Sequence, residues 1–337
     1  MKHVLRLISA TLVLALMSAA ALAEPATLRL GYQTGDINTQ TMYANAMHLF
    51  DDAGLKVELI AFPAGPAMLP ALAAAQIDLA WMGEFPIVTG YANGMPIEMI
   101  LIDRINTTNV RLVASPASGI NSLADLKGKK IAVTIGSTSH QHIARALKMA
   151  GLKQEDVTLV NLQPGNMPAA YAAGQVDAAF TWEPNISIIE NSGGKVIATT
   201  KSLGDITGVM LAARSEFTKE HPELVQKFLA AWEKSMQAAV AKPDDVRQYE
   251  AKRLGITVPE FSAMLTRMSA EYPDYKAQLT QDFLGVPGQE SSARMMIHLK
   301  DIGDFLLAEK RINALPTDWS KIINTQPLQA YLAAKKS

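Results

Sequence analysis

Hydrophobic and polar positions alternate along the first third of the chain in a pattern that predicts strands and helices in turn. Apolar runs at 28–32, 56–62, 78–82 and 97–102 predict strands, and the segments at 37–53, 66–76 and 86–93 predict the helices between them. Gly54 follows the first helix as a C-terminal cap. This alternation is typical of a largely parallel sheet covered by helices.

The same order recurs in the middle third of the chain. Strands are predicted at 130–135 and 157–162, helices between Gly136 and Ala150 and at 167–175, and a further short buried strand follows at 177–181. Residues 68–84 and 167–183 are identical at eight of seventeen positions, and both segments end in a glutamate. Two copies of one unit predict two similar lobes that face a common cleft, with an exposed Trp182-Glu183-Pro184 at the end of the second copy.

From about Thr218 onward the pattern becomes helical. Leucine and aromatic positions recur at helical spacing, and Thr257 with Glu260 forms a capping box with a proline in the first turn. We expect this region to pack around one of the two lobes. Met295 and Met296 are expected in the core rather than in a site.

The N-terminal segment has the pattern of a secretory signal peptide. Lys2, His3 and Arg6 precede an apolar run, and Ala21-Leu22-Ala23 is a small-x-small cleavage site, so residues 1–23 are predicted to be removed. The formal net charge then changes from −1 to about −3, because two of the 31 basic side chains are lost against 32 acidic ones. The apolar run of the signal peptide is too short to span a membrane, and no run after Glu24 reaches membrane length, so we expect a secreted protein that is soluble in the periplasm.

Composition excludes several classes of function. A near-neutral chain without a basic run argues against nucleic acid as a partner. The chain has no cysteine, so disulfides, thiolate metal sites and a lipid-modified cysteine anchor are excluded. A mature chain of this length fits about two domains.

Hydroxyl side chains follow the first strand of the second copy. Gly136-Ser137-Thr138-Ser139 lies between a predicted strand and a helix, where free N–H groups and the helix dipole favour an anionic group. A plain helix N-cap explains one hydroxyl equally well. The segment has no Walker lysine and no Gly-x-Gly-x-x-Gly motif, so nucleotide binding is not supported.

The two glutamates that end the repeated segments form the second candidate feature. Glu84 and Glu183 each stand at a predicted helix start, where glutamate is a poor N-cap. Their repetition in both copies favours a ligand role, and a carboxylate in a cleft suits an ammonium or guanidinium group. Paired carboxylates also hydrolyse sugars, but nothing else in the sequence supports a glycosidase.

Aromatic and amide side chains complete the predicted ligand-binding set. Tyr32, Gln33, Phe85 and Trp182 lie at predicted strand ends, Trp182 could face a cation, and Asp205 is a further acidic candidate. Trp81 and Phe180 are predicted to lie in the hydrophobic core. The histidines lack metal-ligand spacing, His140 and His142 are expected on different helix faces, and no catalytic triad or metalloprotease motif is present. The chain therefore has the layout of a binder without cofactor or metal.

Several short segments of the sequence resemble those of a known protein family. The segments that carry the resemblance are Gly31-Tyr-Gln-Thr34, Leu72-Ala-Ala-Ala-Gln-Ile-Asp78, Leu123-Ala-Asp-Leu-Lys-Gly-Lys129, Ser137-Thr-Ser-His140, Val160-Asn-Leu-Gln-Pro164 and Asp177-Ala-Ala-Phe-Thr-Trp182. They are similar to segments of periplasmic substrate-binding proteins of ABC importers in the nitrate/sulfonate/taurine group, and most similar to those of taurine binders. The resemblance implies an α/β type II periplasmic-binding fold with lobe I at 24–112 plus 210–337 and lobe II at 113–209. It also implies a monomer that closes on a small-molecule ligand and docks on a membrane permease.

The resemblance further implies where a ligand lies. The sulfonate of taurine would lie on Ser137, Thr138 and Ser139, its ammonium on an acidic residue, and Gln33 and Trp182 would line the site. Where taurine binders tend to have Gly-Ser-Ser-Pro, this chain has Gly83-Glu84-Phe85-Pro86, which raises a small amine or guanidinium compound as the alternative ligand. Thiamine-pyrimidine-synthesising enzymes share the fold but are intracellular and carry a cysteine-rich motif, and an extracytoplasmic sensor domain is a third alternative.

Overall fold

A computed structural model describes residues 27–335. The predicted signal peptide at 1–23 lies outside the described residues. Within 27–335, no helix is both long and apolar enough to cross a membrane.

Strands and helices alternate through residues 27–214, and helices dominate in residues 215–335. The strands are β1 Thr27–Gln33, β2 Lys56–Phe62, β3 Leu79–Gly83, β4 Ile97–Asn106, β5 Arg111–Ala114, β6 Lys130–Val133, β7 Thr158–Asn161, β8 Ala178–Thr181, β9 Lys195–Thr199, β10 Thr207–Arg214 and β11 Ala270–Glu271. The helices are α1 Thr39–Ala46, α2 Leu49–Asp52, α3 Leu69–Ala73, α4 Glu84–Ala92, α5 Thr138–Met149, α6 Met167–Ala172, α7 Asn185–Asn191, α8 Ser215–Glu220, α9 Pro222–Ala241, α10 Pro243–Leu254, α11 Val258–Met268, α12 Tyr275–Gln278, α13 Arg294–Ala308 and α14 Gln326–Ala334.

The strands form two sheets with the same internal order. The first sheet runs β11-β4-β10-β3-β1-β2 and the second runs β7-β6-β8-β5-β9. The parallel set β2-β1-β3 of the first copy therefore corresponds to β7-β6-β8 of the second. This correspondence confirms the internal repeat predicted from the sequence.

Both sheets are mixed, so the prediction of largely parallel sheets was wrong for three strand pairings in the first sheet and two in the second. β10 runs antiparallel to β3 and β4, and β5 runs antiparallel to β8 and β9. The reason is that β5 and β10 follow the connections at 107–110 and 200–206, by which the chain passes from one sheet to the other. Each of these strands therefore begins beside the carboxyl ends of the parallel strands and runs back in the opposite direction.

The predicted lobe boundaries lie close to these connections. The boundaries at 112/113 and 209/210 fall inside β5 and β10, a few residues after the chain has changed sheets. The division of the chain into two moving lobes stays a prediction.

Two further differences are local. The helix expected at 37–53 is broken into α1 and α2, because His48 adopts a left-handed conformation with φ of 56° that an α-helix cannot accommodate. Helix α4 begins at Glu84 rather than at Pro86, which places Glu84 in the first helical turn with its side chain fully buried.

The larger hydrophobic core lies on the first sheet and includes the helical C-terminal region. Phe228 and Trp232 of α9 and Met295 and Met296 of α13 are buried there against the strands. Trp81 and Phe180 are fully buried as well. These positions confirm the expected core and the packing of the C-terminal helices on one sheet.

Candidate ligand-binding cleft

A narrow cavity lies between the two sheets, where their parallel strands end and the connections cross. It is lined by Gln33, Asp36, Gly65, Pro66, Gly83, Pro86, Asn109, Val110, Ser137, Thr138, Trp182, Thr207, Gly208 and Val209. Its volume is about 30 Å³, and because a single water needs roughly 10–15 Å³ on this measure, the cavity has room for only a few water molecules. The two halves of the molecule therefore leave little space between them at this point.

Hydrogen bonds across the cleft hold the two sheets together. The indole Nε1–H of Trp182 donates to the Gly35 carbonyl at 2.8 Å, and the Asn185 amide donates to the same oxygen at 3.2 Å. On the far side, the Arg267 guanidinium donates to the Ser187 hydroxyl at 2.6 Å. Trp182 thus joins the sheets and lines the cavity at the same time.

Trp182 and Glu183 are both buried, so the prediction of an exposed strand end was wrong. Trp182 is only 6% exposed and Glu183 is fully buried. Because β8 ends where the two sheets meet, the residues that follow it are covered by the opposite half of the molecule. The carboxylate of Glu183 accepts from Arg111 at 2.6 Å and from the Ser187 hydroxyl at 2.8 Å.

Glu183 is therefore engaged inside the protein rather than presented to the cavity. Arg111 stands on β5 beside the end of β8, in register with Thr181. Arg267 adds a second positive charge, with its Nε 3.7 Å from the Glu183 carboxylate. A role for Glu183 in binding an ammonium group stays a prediction.

Gln33 and Asp36 form the first-sheet wall of the cavity. The Gln33 amide donates to the Asp36 carboxylate at 2.7 Å, and Arg104 contacts the other carboxylate oxygen at 2.8 Å. Burial raises the pKa of Asp36, opposed by the charge of Arg104 and by hydrogen bonds that include the Ile37 N–H. The wall thus offers an amide and a carboxylate whose charge is compensated.

Arg104 connects this wall to a second buried carboxylate. Its guanidinium donates to Asp103 at 2.7 Å and to the Ile37 carbonyl at 2.9 Å, and it lies over the Trp81 ring at 5.3 Å. Burial raises the pKa of Asp103 to about 6, although the charge of Arg104 and the Trp81 N–H oppose the shift. Arg104 is the cation that allows both carboxylates to be buried.

The start of α5 forms the second-sheet wall. Gly136 precedes it with φ of +84°, a conformation that favours glycine. The Ser137 hydroxyl donates to the Thr134 carbonyl at 2.7 Å and pairs with the Ser139 hydroxyl at 2.9 Å. Ser137 and Thr138 line the cavity, whereas Ser139 is fully buried behind them.

Glu84 lies directly behind the cavity wall. One carboxylate oxygen accepts from the Gly208 N–H at 3.0 Å, and the other lies 3.4 Å from both the Thr138 hydroxyl and His298 Nε2. The opposite ring nitrogen of His298 is 3.5 Å from Asp205. Burial opposes protonation of His298, but the hydrogen bond to Glu84 and the charges of Glu84, Asp205 and Asp301 outweigh it and raise its pKa.

The remaining predicted site residues lie away from the cavity lining. Asp205 contacts His298, Arg145 and His142 at 3.5 to 3.7 Å. Phe85 packs against Phe305 and His140, and Tyr32 packs against the first-sheet core. Their assignment to ligand binding stays a prediction, while Gln33, Ser137, Thr138 and Trp182 are brought together at the cavity.

Several lining residues were missed by the sequence reasoning. Asp36 follows β1, and Asn109 and Thr207 lie in or next to the connections between the sheets. A strand end could have indicated Asp36, but only the position of the connections identifies the other two. Among residues 27–335, no group of three or more histidine, aspartate or glutamate side chains is placed to hold a metal ion.

Comparison with known proteins identifies similar folds and sequences. The taurine-binding periplasmic protein of Escherichia coli (strain K12) is 26% identical over 326 residues, covering 95% of this chain and 98% of that protein. The alkanesulfonate-binding protein SsuA of Xanthomonas axonopodis pv. citri, bound to MOPS, has a TM-score of 0.71 at 23% identity, covering 90% of this chain and all of its own. The E. coli periplasmic aliphatic sulphonate binding protein SsuA has a TM-score of 0.72 at 24% identity, covering 90% and 93%.

These likenesses confirm the predicted periplasmic-binding-protein fold without singling out taurine. The desulfurization enzyme DszB also shares the fold, with a TM-score of 0.63 at 15% identity over 91% of this chain and 99% of its own. The family profile described as NMT1/THI5 like matches residues 38–246, which is more than half of the chain. The chain belongs to the NMT1/THI5 like family.

Proposed function

We propose that this protein is the extracytoplasmic solute-binding component of an ABC importer. It captures a small ligand between its two sheets and presents it to a membrane permease. The observation that carries this proposal is the composition of the cavity wall, which comes from both halves of the molecule and from the connection at 107–110. A ligand touched by both halves stabilises the closed form over the open one, and closure is the signal a permease can recognise.

The first ligand class we propose is an aminosulfonate of the size of taurine. Relatives named for taurine and for alkanesulfonates support this class. The first N–H groups of α5 lie beside Ser137 and Thr138, and helix N-termini favour anions. Asp36 lines the same cavity and offers a carboxylate to the ammonium group.

A small cation is the second candidate, favoured by one observation. Asp36 is the one ionisable side chain among the residues recorded along the cavity wall. An amine or guanidinium compound would meet this carboxylate without needing a separate anion site. The two classes therefore differ in whether the α5 N-terminus contacts the ligand.

Calorimetry of the purified mature protein distinguishes the classes. Taurine, longer alkanesulfonates, guanidine and simple amines are titrated separately, and one-to-one binding of taurine is the expected result. Measurable binding of amines or guanidine, together with no binding of any sulfonate, would overturn the aminosulfonate assignment. Gel filtration of the same samples tests the proposal that the protein is a monomer.

The proposed role also predicts that the ligand is released unchanged. The fold is shared by an enzyme, and the thiamine-pyrimidine-synthesising enzymes remain the alternative of a different class. Prolonged incubation of the protein with excess taurine, followed by NMR of the small molecules, is expected to return only taurine. A new product that depends on protein concentration would contradict the binding role.

Replacing Trp182 with phenylalanine is expected to weaken ligand binding about fivefold. The variant keeps an aromatic wall but loses the indole hydrogen bond to Gly35 across the cleft, and one such bond contributes about 1 kcal/mol. Trp232→Phe is the matched control, because Trp232 is fully buried in the first-sheet core. Equal affinities for Trp182→Phe and the wild type would show that this bond does not support closure on the ligand.

A further inference from the structure

Hydrogen-bond donors at the junction of the two sheets are already engaged by a carboxylate of the protein. The Gly208 N–H belongs to β10 of the first sheet and the Thr138 hydroxyl to α5 on the second. Both residues line the cavity, and both contact Glu84 at 3.0 and 3.4 Å. An anionic ligand group at this point of the wall would need the same donors.

Glu84 reaches these donors from behind the wall. Its side chain is fully buried, and Gly83, the residue before it, lies at the cavity surface. A Cβ atom on Gly83 would come within 3.1 Å of the Thr138 hydroxyl, so a side chain at this position would crowd the contact. The absence of that side chain lets the wall remain open in front of the carboxylate.

The charge of Glu84 is balanced by one partner. His298 lies between Glu84 and Asp205, with ring nitrogens 3.4 and 3.5 Å from the two carboxylates. His142 and Arg145 face Asp205 from α5. The carboxylate and the imidazole thus form a fixed charge pair beside the cavity, with its negative end toward Thr138 and Gly208.

We propose that Glu84 sets the charge selectivity of the cleft. Its carboxylate occupies the donors of Thr138 and Gly208, so this part of the wall rejects an anionic group and receives a cationic or neutral one. The inference rests on the proposed role as a solute-binding protein and specifies the ligand further. An aminosulfonate, which also carries an ammonium group, is therefore expected to bind more tightly than an alkanesulfonate of the same size without an amine.

A purely mechanical role for Glu84 makes a different prediction. If the carboxylate only stabilises the contact between the two sheets, removing its charge lowers the affinity for all ligands by a similar factor. If it sets charge selectivity, removing its charge shifts anions and cations in opposite directions. The ratio of the two affinities therefore separates the roles.

Charged probes of similar size test this ratio on the full mature protein. Sodium methanesulfonate and methylammonium chloride are titrated by calorimetry and by thermal shift into wild type and Glu84→Gln, with sodium chloride at equal ionic strength as reference. Glu84→Gln is expected to bind methanesulfonate at least tenfold more tightly, and methylammonium at least tenfold more weakly, than wild type. An unchanged ratio of the two affinities would overturn the proposal.

Glu98→Gln is the matched control for neutralising a buried carboxylate. Glu98 is buried on β4, where it accepts from Thr218 and Asn324, and it is absent from the cavity wall as described. Its variant is expected to keep the wild-type ratio. If Glu98→Gln changed the ratio of methanesulfonate to methylammonium affinity as much as Glu84→Gln does, the change would be explained by destabilisation of the first sheet and not by the position of Glu84.

His298→Gln provides an independent test if Glu84→Gln does not fold. Removing the histidine leaves the Glu84 charge without its counter-charge, so methylammonium is expected to bind at least tenfold more tightly than to wild type. Weaker methylammonium binding by a folded His298→Gln would contradict the proposal. Failure of taurine and all amines to bind wild type would instead refute the proposed ligand classes, while methanesulfonate binding by Glu84→Gln would still support the role of Glu84.

Discussion

Replacing Arg104 with methionine is expected to lower the free energy of unfolding by about 3 to 5 kcal/mol. Arg104 is almost completely buried and contacts Asp36 and Asp103 at 2.8 and 2.7 Å. Methionine fills a similar volume but leaves both carboxylates without a positive partner, and an uncompensated buried charge is strongly unfavourable. Urea unfolding followed by circular dichroism at neutral pH measures the loss.

Arg214→Met is the matched control for this substitution. Arg214 contacts Asp78 at 3.1 Å, but Asp78 is also held by Arg29 at 2.6 Å. Asp78 therefore keeps a partner, and we expect a loss of about 1 kcal/mol. Adding Asp103→Asn to Arg104→Met should restore part of the stability, because one of the two unpaired charges is removed. A loss for Arg104→Met no larger than for Arg214→Met would contradict the assigned role.

Replacing His142 with phenylalanine is expected to make the protein less sensitive to acid. Burial lowers the pKa of His142 to about 4, from an ordinary value near 6.5, despite the charges of Asp205 and Glu84, while His298 and Arg145 add to the lowering. The unfolded chain therefore binds a proton between pH 6.5 and 4 that the folded protein does not, and the free energy of unfolding falls as the pH falls through this range. The shift corresponds to about 3 kcal/mol at pH 4.

The comparison with the variant isolates this contribution. Burial and the charge of Arg311 lower the pKa of His140 to about 4 as well, so it acts in the same direction, whereas Asp103 with its raised pKa acts in the opposite one. Phe180 lies beside His142 with ring centroids 5.9 Å apart, so the introduced phenylalanine would have an aromatic neighbour. The difference in unfolding free energy between variant and wild type should grow by about 3 kcal/mol from pH 7 to pH 4. His221→Phe, at a half-exposed histidine, is the control for losing an imidazole outside the core.

Local sequence patterns were sufficient to predict the repeated architecture. The bounds of β2 agree with the apolar run at 56–62, because alternation in a short strand is visible without tertiary information. The repeat at 68–84 and 167–183 indicated two similar units before any contact was known. The direction of β10 could not be predicted in this way, since a strand's orientation depends on which sheet the chain returns from.

The candidate site was predicted only in part, for a related reason. Gln33, Ser137, Thr138 and Trp182 follow strand ends, and strand ends meet at the cleft of such folds. Glu84 and Glu183 also follow strand ends, but distant residues engage them. His298 lies 214 positions after Glu84. Sequence spacing gave no reason to connect the two, and His298 was set aside because it lacked metal-ligand spacing.

The central place of β10 in the first sheet has a consequence for the order in which the molecule assembles. β10 lies between β3 and β4 and joins them, yet it is made only after all strands of the second sheet. Because synthesis proceeds from the N-terminus, β5 to β9 can therefore pair before the first sheet has its middle strand. Until residues up to about 214 are made, the facing edges of β3 and β4 remain unpaired, and unpaired edges favour aggregation. We expect chains truncated before β10 to depend on chaperones.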